Sequence, residues 1–154
     1  MSSRTIRIEH EEDMRVLAVR LAQILKKGDV IALQGVLGAG KTVFARALVN
    51  ALAPAEEEVP SPTFTLVQVY DAQDPAIWHF DFYRLEDQEE ILELGWDEAR
   101  RHGVAVIEWP ERLGSLLPKD RLEIGIHLVD DSENARDVTF TPFGKWIDRQ
   151  NDDI

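Results

Sequence analysis

A three-layer α/β fold, built on a mainly parallel central sheet with antiparallel strands at its edges, is what the sequence predicts. Three observations carry that expectation. The apolar run Asp29-Val30-Ile31-Ala32-Leu33-Gln34 leads straight into Gly35-Val36-Leu37-Gly38-Ala39-Gly40-Lys41-Thr42, and a helical pattern follows. A second apolar run, Val104-Ala105-Val106-Ile107, ends on a carboxylate, Glu108. Segments of alternating polarity lie between and beyond these runs, around residues 64–83 and 121–141. Short continuous apolar runs suit buried parallel strands, whereas alternation suits antiparallel strands with one drier face.

The glycine-rich stretch fits the phosphate-loop pattern G-x-x-x-x-G-K-[ST] at every fixed position. Each residue type has its own task. Glycines at 35, 38 and 40 let the backbone come close to a ligand where a Cβ would obstruct it. The loop amides through Leu37, Gly38, Ala39, Gly40 and on to Val43 can converge on phosphate oxygens, aided by the dipole of the following helix. Lys41 is placed to reach the β- and γ-phosphates, and the Thr42 hydroxyl to ligate Mg²⁺. Phe44, Leu48 and Leu52 share one helical stripe after the loop, completing the strand, loop, helix order. A glycine turn with a stray lysine is the competing reading, and that order argues against it. The chain therefore reads as a P-loop NTPase fold that binds a nucleoside triphosphate. No Asn-Lys-x-Asp guanine signature occurs, which favours ATP over GTP.

Composition sets outer limits. At 154 residues the chain reads as one domain, 1–154, with a core of useful size and a frayed tail at 151–154. No stretch approaches the ~20 apolar residues of a membrane span, and Met1 to Arg7 lacks the apolar segment of a secretory signal. A cytoplasmic protein is expected. With no cysteine, disulfides and thiolate metal sites are excluded. The formal charge of −12 argues against autonomous binding of nucleic acid, for which no dense basic cluster is present. Lys26-Lys27 and Arg100-Arg101 are expected near helix ends, where cations complement the dipole.

In chain order, a strand is expected around Thr5–Ile8 and a helix over about Glu11–Lys26. Met14, Leu17, Leu21, Ile24 and Leu25 recur there at helical spacing, and Gly28 is the stop. Pro54, Pro60 and Pro62 bracket an acidic loop, Glu56-Glu57-Glu58, read as a solvated surface. Residues 64–70 and 77–83 alternate and read as a hairpin, with Ile77, His79, Asp81 and Tyr83 on one face. Short helices follow at about Asp87–Leu94 and Trp96–His102, each ended by a glycine. Val104–Glu108 is a buried strand whose terminal carboxylate suits a Walker-B role, with Glu in the acidic position. A helical turn after Trp109-Pro110, a hairpin over Arg121–Val129 and Ala135–Thr141, and a helix over Phe143–Gln150 complete the chain.

Four motifs in this order and spacing resemble the TsaE family (formerly YjeE). They are the loop at 35–42, Ser61-Pro62-Thr63-Phe64, His79-Phe80-Asp81-Phe82-Tyr83-Arg84-Leu85, and Ile107-Glu108-Trp109-Pro110. The resemblance spans most of the chain up to about Pro110. It implies a small bacterial P-loop ATPase that uses ATP and Mg²⁺ in the threonylcarbamoyl modification of adenosine beside the tRNA anticodon. Its implied partners are TsaD, which performs the carbamoyl transfer, and TsaB; tRNA is met only indirectly.

Roles for single residues follow from the resemblance. Thr63 belongs to a switch-like loop near the γ-phosphate, and Asp81 to the Mg²⁺ site, directly or through water. A salt bridge to Arg84 or another arginine is the alternative for Asp81. Glu108 holds a Mg²⁺ water or orients the attacking water. His79 reads as a packed strand histidine rather than a metal ligand. Trp109 either covers the nucleotide or packs on the core, and Arg84 is either a phosphate clamp or an ordinary exposed arginine. Two other functions fit the loop alone: a small kinase acting on a metabolite, for which no lid is evident, and a nucleotide-dependent binding module with negligible turnover.

Overall fold

A computed structural model describes residues 3–36, 38–52, 66–71 and 74–149 of the protein. Seven strands form one sheet: β1 (Arg4–Ile8), β2 (Val30–Gln34), β3 (Val67–Tyr70), β4 (Ala76–Asp81), β5 (Gly103–Glu108), β6 (Arg121–Leu128) and β7 (Arg136–Phe143). Their order is β1-β7-β6-β2-β5-β4-β3. The four central strands, β6, β2, β5 and β4, pair in parallel. β7 and β1 on one side, and β3 on the other, are antiparallel additions. This is the expected mixed sheet.

Two faces of the sheet are covered, giving three layers. On one lie α1 (Glu11–Ala22) and α2 (Lys41–Leu52), whose Leu17, Leu21, Phe44 and Leu48 pack with Ile31, Leu33, Val104, Val106 and Ile124. On the other lie α3 (Trp96–His102) and two 3₁₀ helices, Gln88–Leu94 and Pro110–Leu116. There Ile91, Trp96 and Leu113 meet Phe80, Phe82 and Ile107. β5 runs through the middle and is buried along its whole length, as its unbroken apolar run requires.

Elements differ from the expectation in several places; β4, for one, ends at Asp81 and stops short of Tyr83. α1 ends at Ala22, short of Lys26, because the N–H groups of Ile24 and Leu25 bond back only three residues, to Leu21 and Ala22. The tightened chain is then caught by Asp29, whose carboxylate accepts from the Lys26 N–H at 2.7 Å. Lys26 and Lys27 thus lie past the helix, and Lys27 pairs at 3.7 Å with Asp74. Strand β7 continues through Phe143, and Gly144, at φ +61°, turns the chain before α4 (Trp146–Arg149). The segment expected as helix from Asp87 is a 3₁₀ helix, capped by the Asp87 side chain accepting from the Glu89 N–H. The acidic loop at 56–58 and the start of the strand expected from Phe64 lie outside the described residues.

α4 is fastened by one arginine. Arg149 donates to both oxygens of Asp29, at 2.6 and 3.0 Å, and its guanidinium lies 3.9 Å from the Trp146 ring centroid. This ties the last helix to the start of β2, the strand that feeds the glycine loop. Charged hydrogen bonds of this half-buried kind contribute about 1.5–3 kcal/mol. Arg149→Ala is expected to lower stability to urea by roughly that amount. An unchanged unfolding midpoint would show that the tie contributes nothing.

Candidate active site

The period of two in a strand puts residues 77, 79 and 81 of β4 on one face, and 104, 106 and 108 of β5 on the same face. That face is the one α2 covers. In the parallel register Asp81 stands opposite Glu108, and His79 opposite Val106. The C-terminal ends of β4 and β5 therefore deliver two carboxylates beside the start of α2, where open parallel sheets bind ligands.

Glu108 is only 3 % exposed and is held at both oxygens. Oε1 accepts from the Thr42 hydroxyl at 3.0 Å, and Oε2 bonds His79 Nε2 at 2.6 Å. A carboxylate only accepts, so the histidine donates. Asp81, also buried, accepts from the Tyr83 N–H at 3.1 Å. Buried carboxylates need such donors, or a cation, to offset lost hydration.

Lys41 is folded down into the loop. Its Nζ donates to the Gly35 carbonyl at 2.6 Å and lies 3.4 Å from the centroid of the Trp109 ring. Trp109 is left-handed at φ +61° and packs on Tyr83 with centroids 4.9 Å apart, which aims the indole at the lysine. Burial lowers the Lys41 pKa from the ordinary lysine range, and the charges of Glu108, Glu111 and Asp81 oppose that fall.

Nine residues nominated from the sequence line one cavity of about 470 Å³: Gly38, Gly40, Lys41, Thr42, Val43, Asp81, Arg84, Glu108 and Trp109. Gly35 joins through Lys41, and a Cβ there would meet the Ile126 carbonyl at 2.6 Å. Gly40, at φ +118°, takes a backbone conformation closed to ordinary side chains. Ala39 points its methyl into the core and its carbonyl away from the cavity, towards Arg136. Leu37 and Thr63 lie outside the described residues.

The sequence reading missed three contributors. Tyr83 lines the cavity and backs Trp109; its position two residues after Asp81 was the available signal. Glu111 adds charge near Lys41 from the first turn after Pro110. Arg136 of β7 donates from Nε to the Ala39 carbonyl at 2.9 Å and so braces the loop from the far side. No local pattern marks it.

A hydroxyl and two carboxylates are hard oxygen donors, the set that suits Mg²⁺. Among the described residues no group of three or more His, Cys, Asp or Glu is arranged to hold a metal. Mg²⁺ in phosphate sites takes only one or two carboxylates and completes its shell with phosphate and water, so the donors fit it.

The family model for the threonylcarbamoyl adenosine biosynthesis protein TsaE matches residues 8–138, a span that includes every residue of this site. The chain belongs to the TsaE family. Curated TsaE relatives, each a tRNA threonylcarbamoyladenosine biosynthesis protein by name, agree with that. The Rickettsia felis protein is 39% identical over 126 residues, covering 82% of this chain and 74% of its own. The Bacillus subtilis relative is 38% identical over 139 residues, covering 90% and 85%. The one from Haemophilus influenzae is 35% identical over 153 residues, covering 96% of each. Among solved structures, Bacillus subtilis YdiB superposes with a TM-score of 0.77 at 28% identity, over 96% of this chain and 90% of that one. The TsaE-family fold is thus the mixed sheet described above. No described helix is long and apolar enough to cross a membrane.

The lowered pKa of Lys41 has a consequence for stability. The folded chain holds that proton less tightly than the unfolded chain does. Below the lowered pKa both states keep it. Between that value and the ordinary 10.5, the unfolded state binds more protons and stability rises with pH. Lys41→Met lacks this contribution. The stability of the wild type relative to Lys41→Met is therefore expected to climb as pH approaches 10.5, measured by urea unfolding of both proteins in steps of pH. A difference that falls over this window would contradict the burial of the charged amine.

Proposed function

We propose that this TsaE-family protein is a Mg²⁺-dependent ATPase. It serves threonylcarbamoyl modification of the adenosine beside the tRNA anticodon, in the cytoplasm, with TsaD and TsaB. The observation that carries the reading is the bond between the Thr42 hydroxyl of the loop and the buried Glu108 carboxylate at the end of β5. It supports a reading in which the loop cradles phosphates and Glu108 beside it orients water.

The residues divide the work. Loop amides from Gly38 to Val43, at the start of α2, bind the phosphates. Lys41 exchanges the Gly35 carbonyl and the Trp109 face for the γ-phosphate, whose charge compensates the burial of the amine. Mg²⁺, held by Thr42 with Asp81 and Glu108 directly or through water, supplies neutralisation of the phosphate charge. Glu108 orients the water that attacks the γ-phosphorus in line with the breaking bond to the β-phosphate. Trp109 and Tyr83 wall the cavity, and Arg84 stands at its exposed rim. Thr63 is proposed for the γ-phosphate side.

Partners are needed for speed. An arginine supplied in trans raises the rate of such sites by ~10³–10⁵. Arg84 is the arginine lining the cavity itself. The charge of −12 suits docking to a basic protein face rather than to tRNA. The relatives' names support the tRNA-modification setting.

Phosphate release from ATP tests the chemistry. Asp81→Asn and Glu108→Gln are each expected to slow it at least ~tenfold, or roughly 1.4 kcal/mol in barrier. Asp81→Asn should also raise the Mg²⁺ concentration for half-maximal rate. If these groups serve folding alone, melting temperature will drop and the Mg²⁺ dependence will stay put.

A second assay adds TsaB and TsaD. Weak turnover alone and marked stimulation by the pair are expected, with the stimulation fading as salt screens the docking charges. Free tRNA should neither bind nor stimulate. Fast turnover by the isolated chain would overturn this account.

A further inference from the structure

His79 lies in the sheet with no exposed surface, yet among the described residues its imidazole makes a single hydrogen bond. Nε2 meets Glu108 Oε2 at 2.6 Å, while Nδ1 is buried and finds no partner among the described residues. A histidine kept to stabilise a strand would normally satisfy both nitrogens, because an unmatched buried polar atom costs stability. Here the ring gives up one nitrogen, and its other serves the carboxylate at the mouth of the phosphate loop.

We infer that His79 is a positioning residue for ATP hydrolysis, one that acts only through Glu108. The inference rests on the ATPase reading above. A glutamate has three side-chain torsions, and the end of β5 alone does not choose among them. The bond to His79 ties down Oε2 from the buried side, diagonal to Glu108 across the β4–β5 pair. Oε1 is thereby left facing Thr42, the direction from which the phosphates, the metal and the attacking water come. Thr42 cannot do this alone, since one bond to Oε1 leaves the rest of the glutamate side chain free to rotate about it. His79 keeps its bond with the site empty or filled and holds Glu108 at the attacking water. Freed of it, the carboxylate can follow Thr42 or swing towards Lys41, losing the water while ATP still binds. A misplacement of this size far from bond-making can cost orders of magnitude in rate.

Two substitutions separate positioning from packing. His79→Gln offers an amide N–H at about the reach of Nε2, and His79→Leu fills the space without a donor. Phosphate release and Mg-ATP affinity are measured for both, beside the wild type and Glu108→Gln. His79→Leu is expected to lose about 10–100-fold in kcat, the usual effect of removing a group that orients a site carboxylate. Its ATP affinity should be close to wild type, and His79→Gln should recover most of the rate. Full-rate His79→Leu, or His79→Gln as slow as His79→Leu while both melt like the wild type, would overturn the inference. Should His79→Leu fail to fold, ¹⁵N NMR of the wild-type imidazole decides. Hydrogen on Nε2, retained with a non-hydrolysable Mg-ATP analogue, supports the role, and loss of that hydrogen bond on binding refutes it. A wild type that neither binds nor cleaves ATP would defeat the ATPase reading and this inference together. A dead Glu108→Gln beside an active His79→Leu would defeat the inference alone.

Discussion

Because β4 runs parallel to β5 with Asp81 beside Glu108, three polar side chains come to the face that α2 covers. The rest of the site depends on this pairing. A slip of one residue in β4 would turn His79 and Asp81 to the face of Phe80 and Phe82, and bring phenylalanines under the phosphate loop. What prevents the slip is hydrophobic on both sides: Ile77 in the core beneath α1 and α2, and Phe80 with Phe82 against Trp96. The apolar residues of β4 thereby fix the polar ones. The buried carboxylates are then not stranded, since the chain supplies donors at Thr42, His79 and the Tyr83 N–H.

The charge pattern is consistent with a site that receives an anion. A chain with net charge −12 repels a triphosphate at long range, but that repulsion is screened beyond roughly 8–10 Å at physiological salt. Closer in, on the proposed reading, the phosphates would meet the fixed N–H groups of the loop and the start of α2. Lys41 is stored nearby as a cation on the indole of Trp109 and the carbonyl of Gly35, so it is neither lost to solvent nor neutralised by Glu108 in a direct contact. Its burial disfavours the charged form, and the charges of Glu108, Glu111 and Asp81 act against that.

Much of this was legible in the sequence because the relevant signals are local. The loop from Gly35 to Thr42 and the run ending at Glu108 declare themselves within eight and five consecutive residues. Alternation in β4 correctly grouped His79 with Asp81. The partner of His79 was not legible. It lies 29 positions away, and finding it requires knowing that β4 pairs with β5, in parallel and in this register. The end of α1 escaped for a related reason. Ile24 and Leu25 kept the helical period, but Asp29 captured the Lys26 N–H and the chain turned first. That capture spans only three positions, but a side chain bonding a backbone N–H leaves no trace in periodicity.

The brace between Arg136 and the Ala39 carbonyl spans 97 positions, and β6, the neighbour of β2 in the sheet, is also made late. A growing chain emerges from the ribosome N-terminus first. The glycine loop is therefore synthesised long before the strand that shapes it from behind. Until β6 and β7 arrive, β2 lacks one of its two neighbours and the loop carbonyl has no arginine to face. The segment after Pro118, poor in recognisable motifs, thus supplies a neighbour of β2 and the brace of the loop: the loop's sequence is complete before the residues that hold it from behind are made.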